Sequence, residues 1–210
     1  MIEVLTDLRK SGEVPWDWII DETRKLRDFT GSATIKDWLL SVLPQARLDP
    51  WNGDEPLILT ESRSLAGVLE NLCREYAVQV AATNCQAGGF LHTDIVPILR
   101  PFHRILYLGD FDLSGNLIEA NTRSVLELQW ERLALTAEQL DQYDLPRIVK
   151  HDRRYKDGGA HEAVETEALS QRIIVEILRN RLEELLPEPL GHVQERADQE
   201  RVIIREALEG

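Results

Sequence analysis

Cysteine is scarce in this 210-residue chain. Cys73 and Cys85 are the only two, and neither belongs to a CxxC pair or a Cys/His cluster. A disulfide framework and a thiolate zinc site are excluded, and a reducing compartment is the expectation. Long apolar runs are missing as well. No stretch approaches the roughly 18–20 residues that a bilayer-spanning helix needs, and Met1-Ile2-Glu3 does not open a signal peptide. No membrane partner and a cytoplasmic location follow as expectations. Basic charge is in deficit, with 24 Lys and Arg against 37 Asp and Glu, a formal net of -13. Nonspecific nucleic-acid affinity rests mainly on Lys and Arg at phosphates, so a broad basic binding face is excluded. An acidic metal site is not. With 43% apolar residues, the chain lies well outside disordered composition.

What is present is an alternation of short apolar runs with helical periodicity. Residues 1–50 read as a helical extension. Met1 to Lys10 is amphipathic and Ser11-Gly12 breaks it; Trp16, Ile19, Ile20, Thr23 and Leu26 recur at helical spacing. Ile35, Trp38, Leu39, Val42 and Leu43 form a further stripe that Pro44 stops. Residues 51–190 read as one domain. Its strand candidates are Leu57 to Thr60, Val78 to Ala82, Arg104 to Leu108 and Arg132 to Leu135, with helices expected between them at about 65–76, 92–99 and 117–128. Such crossovers suit parallel strands, so the expected fold class is α/β, a mainly parallel sheet flanked by helices. Thr136 and Gln139 have the spacing of a capping box. Beyond them, Lys150 to Gly159 reads as a basic loop and Ala163 to Ala168 as an edge strand. Gln171 to Leu186 reads as an amphipathic helix, and Val193 to Leu208, within a separate segment 191–210, as a charged surface helix.

Open α/β sheets place their chemistry beyond the carboxyl ends of the strands. Glu61 directly follows the first expected strand, and Asp110 and Asp112 follow the third. Residues two apart in an extended segment project the same way, so both aspartates can face one cavity. If these strands are neighbours, Glu61 joins them. Three carboxylates in a small volume repel one another unless a cation neutralises them, and Mg²⁺ is the expected cofactor, with Mn²⁺ as a substitute. Phosphodiester chemistry follows, because the ion activates water and screens phosphoryl charge. Gly115 would let the chain turn closely beside the site, and a helix beginning near Asn116 would aim amides at a phosphate. Taken singly, each acid is explained equally well as a helix cap. Their pairing at matched strand ends is the more specific signal. His92, after a glycine turn, is a weaker substrate-contact candidate, whereas His103, His151, His161 and His192 lack ligand spacing and Cys85 lacks a catalytic partner. Gly88-Gly89 matches no phosphate-loop fingerprint.

The same residues carry a family resemblance. Leu59-Thr60-Glu61, then a helix, a strand, a crossover and Leu108-Gly109-Asp110-Phe111-Asp112-Leu113-Ser114-Gly115, resembles the Toprim domain. That family is typified by a Glu after one strand and a DxDxxG motif after a later one, and includes topoisomerases, bacterial-type primases and OLD-family nucleases. Trp16 to Arg24, Leu135 to Leu140 with Leu145-Pro146, and Val164 to Leu169 are similar to uncharacterised relatives of the archaeal type II topoisomerase A subunit and the meiotic double-strand-break protein. The resemblance covers roughly residues 14–190. It implies Glu61 as general acid/base or metal-binding glutamate, Asp110 and Asp112 as metal ligands, and Glu165 as a further acid near the metal. Arg63, Lys150 and Arg153 would meet a phosphate backbone. The implied activity is Mg²⁺-dependent DNA cleavage, as a nuclease or nickase.

Two departures bear on this. The relatives carry an upstream tyrosine-bearing winged-helix domain, whereas the first 50 residues here have no tyrosine and Tyr76, Tyr107, Tyr143 and Tyr155 fall later. Strand transfer through a phosphotyrosine is not expected of this chain alone. Glu61-Ser62-Arg63 also stands where relatives tend to have Glu-Lys-Asp, which removes one acid and offers Arg63 as the phosphate contact. The alternative expectation is a non-catalytic or partner-dependent subunit, whose separately encoded partner supplies a DNA-binding surface or the tyrosine. A homodimer is a further expectation, and a small-substrate phosphatase on another α/β fold is the third reading.

Overall fold

The computed structural model describes residues 2–14, 30–83, 88–100, 103–151 and 160–210. The chain divides into two units, Met1–Thr30 and Gly31–Gly210. In the first, α1 spans Ile2–Lys10, and Gly12 turns the chain after it at a φ of 81°. The helical stretch expected around Trp16 to Leu26 lies outside the described residues.

The second unit is built on four strands, β1 (Leu57–Thr60), β2 (Gln79–Ala82), β3 (Arg104–Leu108) and β4 (Gln129–Ala134). They are parallel throughout, in the order β2-β1-β3-β4. A separate antiparallel pair joins β5 (Ile148–His151) to β6 (Ala160–Ala163). The helices are α2 (Ile35–Val42), α3 (Arg63–Glu75), α4 (Gly88–Phe90), α5 (Leu113–Leu126), α6 (Ala137–Gln142), α7 (Gln171–Leu185) and α8 (Leu190–Glu209).

β1 and β3 are apolar without alternation because both of their faces are covered, the usual state of a central parallel strand. Successive side chains leave a strand on opposite faces. Ile58, Leu106 and Leu108 thus meet Leu65, Leu69 and Leu72 of α3 and Ile174 and Leu178 of α7. On the other face, Leu57, Leu59, Ile105 and Tyr107 pack with Leu91, Ile95, Leu126 and Trp130. Trp51 fastens the turn before β1: its indole N–H donates to the Tyr76 carbonyl at 2.6 Å, and the Tyr76 hydroxyl donates to Glu183 of α7 at 2.8 Å.

Several expected boundaries shift for local reasons. α5 starts at Leu113, several residues before the expected start, because Asp112 caps it: its Oδ1 accepts from the Gly115 amide at 2.7 Å. The helix expected at 92–99 is a π turn over Leu91–Ile95 followed by a 3₁₀ turn over Val96–Ile98, where Pro97 has no amide to donate. β4 begins at Gln129 rather than Arg132. Of the edge strand expected at 163–168, only Ala163 lies in a strand, as the last residue of β6; Val164 makes an isolated bridge to Phe111, and Thr166–Ala168 form a 3₁₀ turn instead. Lys150 and His151, expected in a loop, belong to β5. The capping box at Thr136 and Gln139 forms in both directions. Among the described residues, no helix is long and apolar enough to cross a membrane.

α5 ends on Glu127, at φ 49° and ψ 34°, in the left-handed region. An L side chain there is disfavoured by roughly 1–2 kcal/mol, part of which glycine would return as unfolded-state entropy. Glu127→Gly should therefore stabilise the fold by about 0.5–1 kcal/mol, read as a higher denaturation midpoint in urea. A lower midpoint would contradict this account of the cap.

Candidate acidic site at the strand ends

Register brings the site together. Thr60 and Leu108 are paired in the last rung between β1 and β3, so the residues that follow them leave the sheet side by side. The Glu61 amide extends the ladder by donating to the Leu108 carbonyl at 3.0 Å. Its side chain then turns to the neighbouring turn, where Oε2 accepts from the Asp110 amide at 2.9 Å. Glu61 and Asp112 are both buried, at 9% and 7% exposure.

Asp110 is held from a third element. The Phe111 and Val164 backbones exchange hydrogen bonds at 2.8 and 3.1 Å, which lays the segment after β6 against the turn. Thr166 is thereby placed to donate to Asp110 Oδ1 from its amide at 2.8 Å and its hydroxyl at 3.0 Å. Asp112 has one oxygen on the α5 amides; its Oδ2 accepts from Lys150 Nζ of β5 at 2.8 Å. The same ammonium lies 3.5 Å from Glu165 Oε1. Glu167, two residues on, accepts from the hydroxyls of Ser62 and Ser64 at 2.9 and 3.1 Å, so Ser62 ties the start of α3 to this edge.

Two residues shape the turn itself. A Cβ on Gly115 would lie 2.5 Å from the Asp110 carbonyl oxygen and 3.1 Å from Glu61 Oε2, so only glycine lets α5 start this close to the acids. Arg132 of β4 donates to the carbonyls of Gly109 and Asp110 at 3.0 and 2.5 Å and to that of Leu135 at 2.7 Å, and it pairs with Glu119. Its guanidinium thus anchors the main chain from which Asp110 projects.

The electrostatics divide the three acids. Burial, above all, raises the Glu61 pKa; the charges of Asp110 and Asp112 add to it, against the Asp110 amide bond and Arg132. Asp110 is raised by burial first; the two Thr166 bonds pull it back, the charges of Glu167 and Asp112 add smaller pushes upward, and the net direction is up. Asp112 goes the other way. Burial opposes its charge, but the Gly115 amide, the bond and charge of Lys150 and the Ser114 amide hold its carboxyl below the usual range. Lys150 is lowered by burial and raised more by Asp112, Glu165 and Asp110, leaving it firmly cationic.

Hard carboxylate oxygens carrying uncompensated charge suit a small divalent cation, and Glu61 and Asp110 are in that condition. By donor chemistry alone, Glu61, Asp110 and Asp112 are the residues that could hold Mg²⁺ or Mn²⁺, with Glu165 across Lys150 from them. Among the described residues, however, no group of three or more His, Cys, Asp or Glu is drawn together as a ligand set. Lys150 supplies the countercharge at Asp112 instead.

The remaining candidates are placed as follows. Arg63 is exposed on the first turn of α3, with no hydrogen bond or ion pair to the acids among the described residues. Arg153 and Cys85 lie outside the described residues. His92 is exposed on the π turn. His103 is buried well away from this edge in the chain's own packing, its Nδ1 accepting from the Arg100 amide and its Nε2 3.6 Å from Glu55. Thr166 and Arg132 were not singled out from sequence. Arg132 stands at the head of the apolar run Leu133 to Leu135, directly after Glu131, and neither it nor Thr166 belongs to a catalytic motif.

No protein-family model matches this chain, and no curated protein matches it.

Proposed function

We propose that the chain is a Mg²⁺-dependent phosphodiesterase of Toprim type, cleaving DNA as a nuclease or nickase. One observation carries this reading: Glu61 from the tip of β1 and Asp110 from the tip of β3 share a hydrogen bond, with Asp112 capping the helix that opens beside them. A divalent cation bound by these acids would activate water and screen charge developing on the phosphoryl oxygens. Glu61, with its raised pKa, is suited to exchange a proton with the attacking or leaving oxygen. Asp110 is held still by Thr166 and, through its carbonyl, by Arg132. Among the described residues, Lys150 is a basic side chain at this edge that can meet a phosphate.

The test is cleavage of supercoiled, linear and single-stranded DNA, and of RNA, by the purified chain in Mg²⁺, Mn²⁺ or EDTA. Nicks or cuts that need the metal are the expected result. If folded protein cuts none of these in either metal, the reading fails. The net charge of -13 favours a second reading in which a partner chain supplies DNA affinity. In that case a complex isolated from the native cell cuts DNA, and the chain by itself does not.

A further inference from the structure

Lys150 stands apart from the rest of the site. The three acids come from the tips of β1 and β3, whereas Lys150 arrives on β5, part of a separate two-stranded sheet. Its Nζ lies 2.8 Å from Asp112 Oδ2, on a carboxylate whose side chain is 5% exposed, while the lysine is itself 38% exposed. Asp112 thereby has a partner on each oxygen, the Gly115 amide on one and the ammonium on the other. A second carboxylate, Glu165, lies 3.5 Å from the same ammonium and is exposed. The lysine therefore has a neighbouring anion to move to, and a cation approaching Asp112 Oδ2 meets the positive charge of the ammonium until it moves.

We propose that Lys150 is a resident counter-ion that competes with the divalent cation for Asp112, so that metal enters as the ammonium withdraws toward Glu165. This rests on reading the acidic corner as a cation site. The consequence is quantitative. A ligand that binds only the minor, Lys-released form has its apparent affinity reduced by the fraction of that form. A pair spending about nine tenths of its time closed would weaken metal binding about tenfold. Removing the ammonium should thus tighten metal binding, the opposite of what the loss of a supporting residue does.

The experiment measures Mn²⁺ binding by the loss of the free-ion EPR signal, without DNA, for the wild-type chain, Lys150→Met and Lys150→Arg. Thermal unfolding of each is followed with and without Mn²⁺. Lys150→Met should bind Mn²⁺ about tenfold more tightly than wild type, should unfold at a lower temperature without metal, and should gain more from its addition. Lys150→Arg keeps the charge and should stay within about twofold of wild type. Equal or weaker binding by Lys150→Met, or Lys150→Arg binding as tightly as Lys150→Met, would overturn the competition while leaving the cation site standing. If none of the three binds Mn²⁺, the cation site falls and the competition with it.

Discussion

Asp110→Asn should abolish metal-dependent cleavage while leaving the chain folded and at least as stable at neutral pH. The asparagine carbonyl can accept the same two hydrogen bonds that Thr166 gives Asp110 Oδ1, so the turn has no reason to move. What disappears is the charge. If that charge helps hold the cation, its loss removes several kcal/mol of transition-state stabilisation, a fall of at least about 10³-fold in cleavage rate. Stability should respond in the other direction. Burial and the charges of Glu167 and Asp112 raise the Asp110 pKa in the folded chain, so ionising it weakens the wild-type fold as pH rises through the folded value. The neutral variant escapes that loss. Cleavage assays paired with thermal unfolding at pH 7 check both halves; a stable variant that still cuts at the wild-type rate would remove Asp110 from the chemistry.

Gly115→Ala should be nearly as damaging, for a steric reason that opposes local preference. Inside a helix, alanine is favoured over glycine by roughly 1 kcal/mol. At this position its methyl would stand 2.5 Å from the Asp110 carbonyl oxygen, a backbone atom clamped by Arg132, and 3.1 Å from the Glu61 carboxylate. Either α5 or the acidic turn has to shift, and overpacking of this kind typically destabilises by about 1–3 kcal/mol. Displacements near 1 Å are enough to lower catalysis by about 10²-fold. Expected together are a lower thermal midpoint and a cleavage rate down by that factor. Gly191→Ala is the control: nothing lies within 4 Å of the added methyl in the first turn of α8, so that variant should not be destabilised. A Gly115→Ala chain as stable and active as wild type would mean that the close approach is of no consequence.

Much of the scaffold was legible because its signals are local. Leu57 to Thr60 and Arg104 to Leu108 are short apolar runs, a pattern set by burial on both faces of a parallel sheet, and their bounds in the structure are the expected ones. The Thr136–Gln139 capping box needs only neighbours three residues apart. Where the expectation slipped, the competing signal was also local but ambiguous. Asp112 reads equally as a site acid and as a helix cap, and in the structure it caps α5, which moves the helix start to Leu113.

By itself the sequence determined the strand and helix alternation, the excess of acid, and the position of Glu61, Asp110 and Asp112 directly after their strands. Periodicity and spacing act within a few residues, and those are the distances a linear chain records. Only the tertiary structure decided that β1 lies beside β3, that Thr166 comes across 56 positions to bind Asp110, and that Lys150 of β5 sits on Asp112 rather than in an open loop. These contacts depend on strand order and on a bridge between Phe111 and Val164, and strand pairing over such separations leaves no periodic trace in the chain.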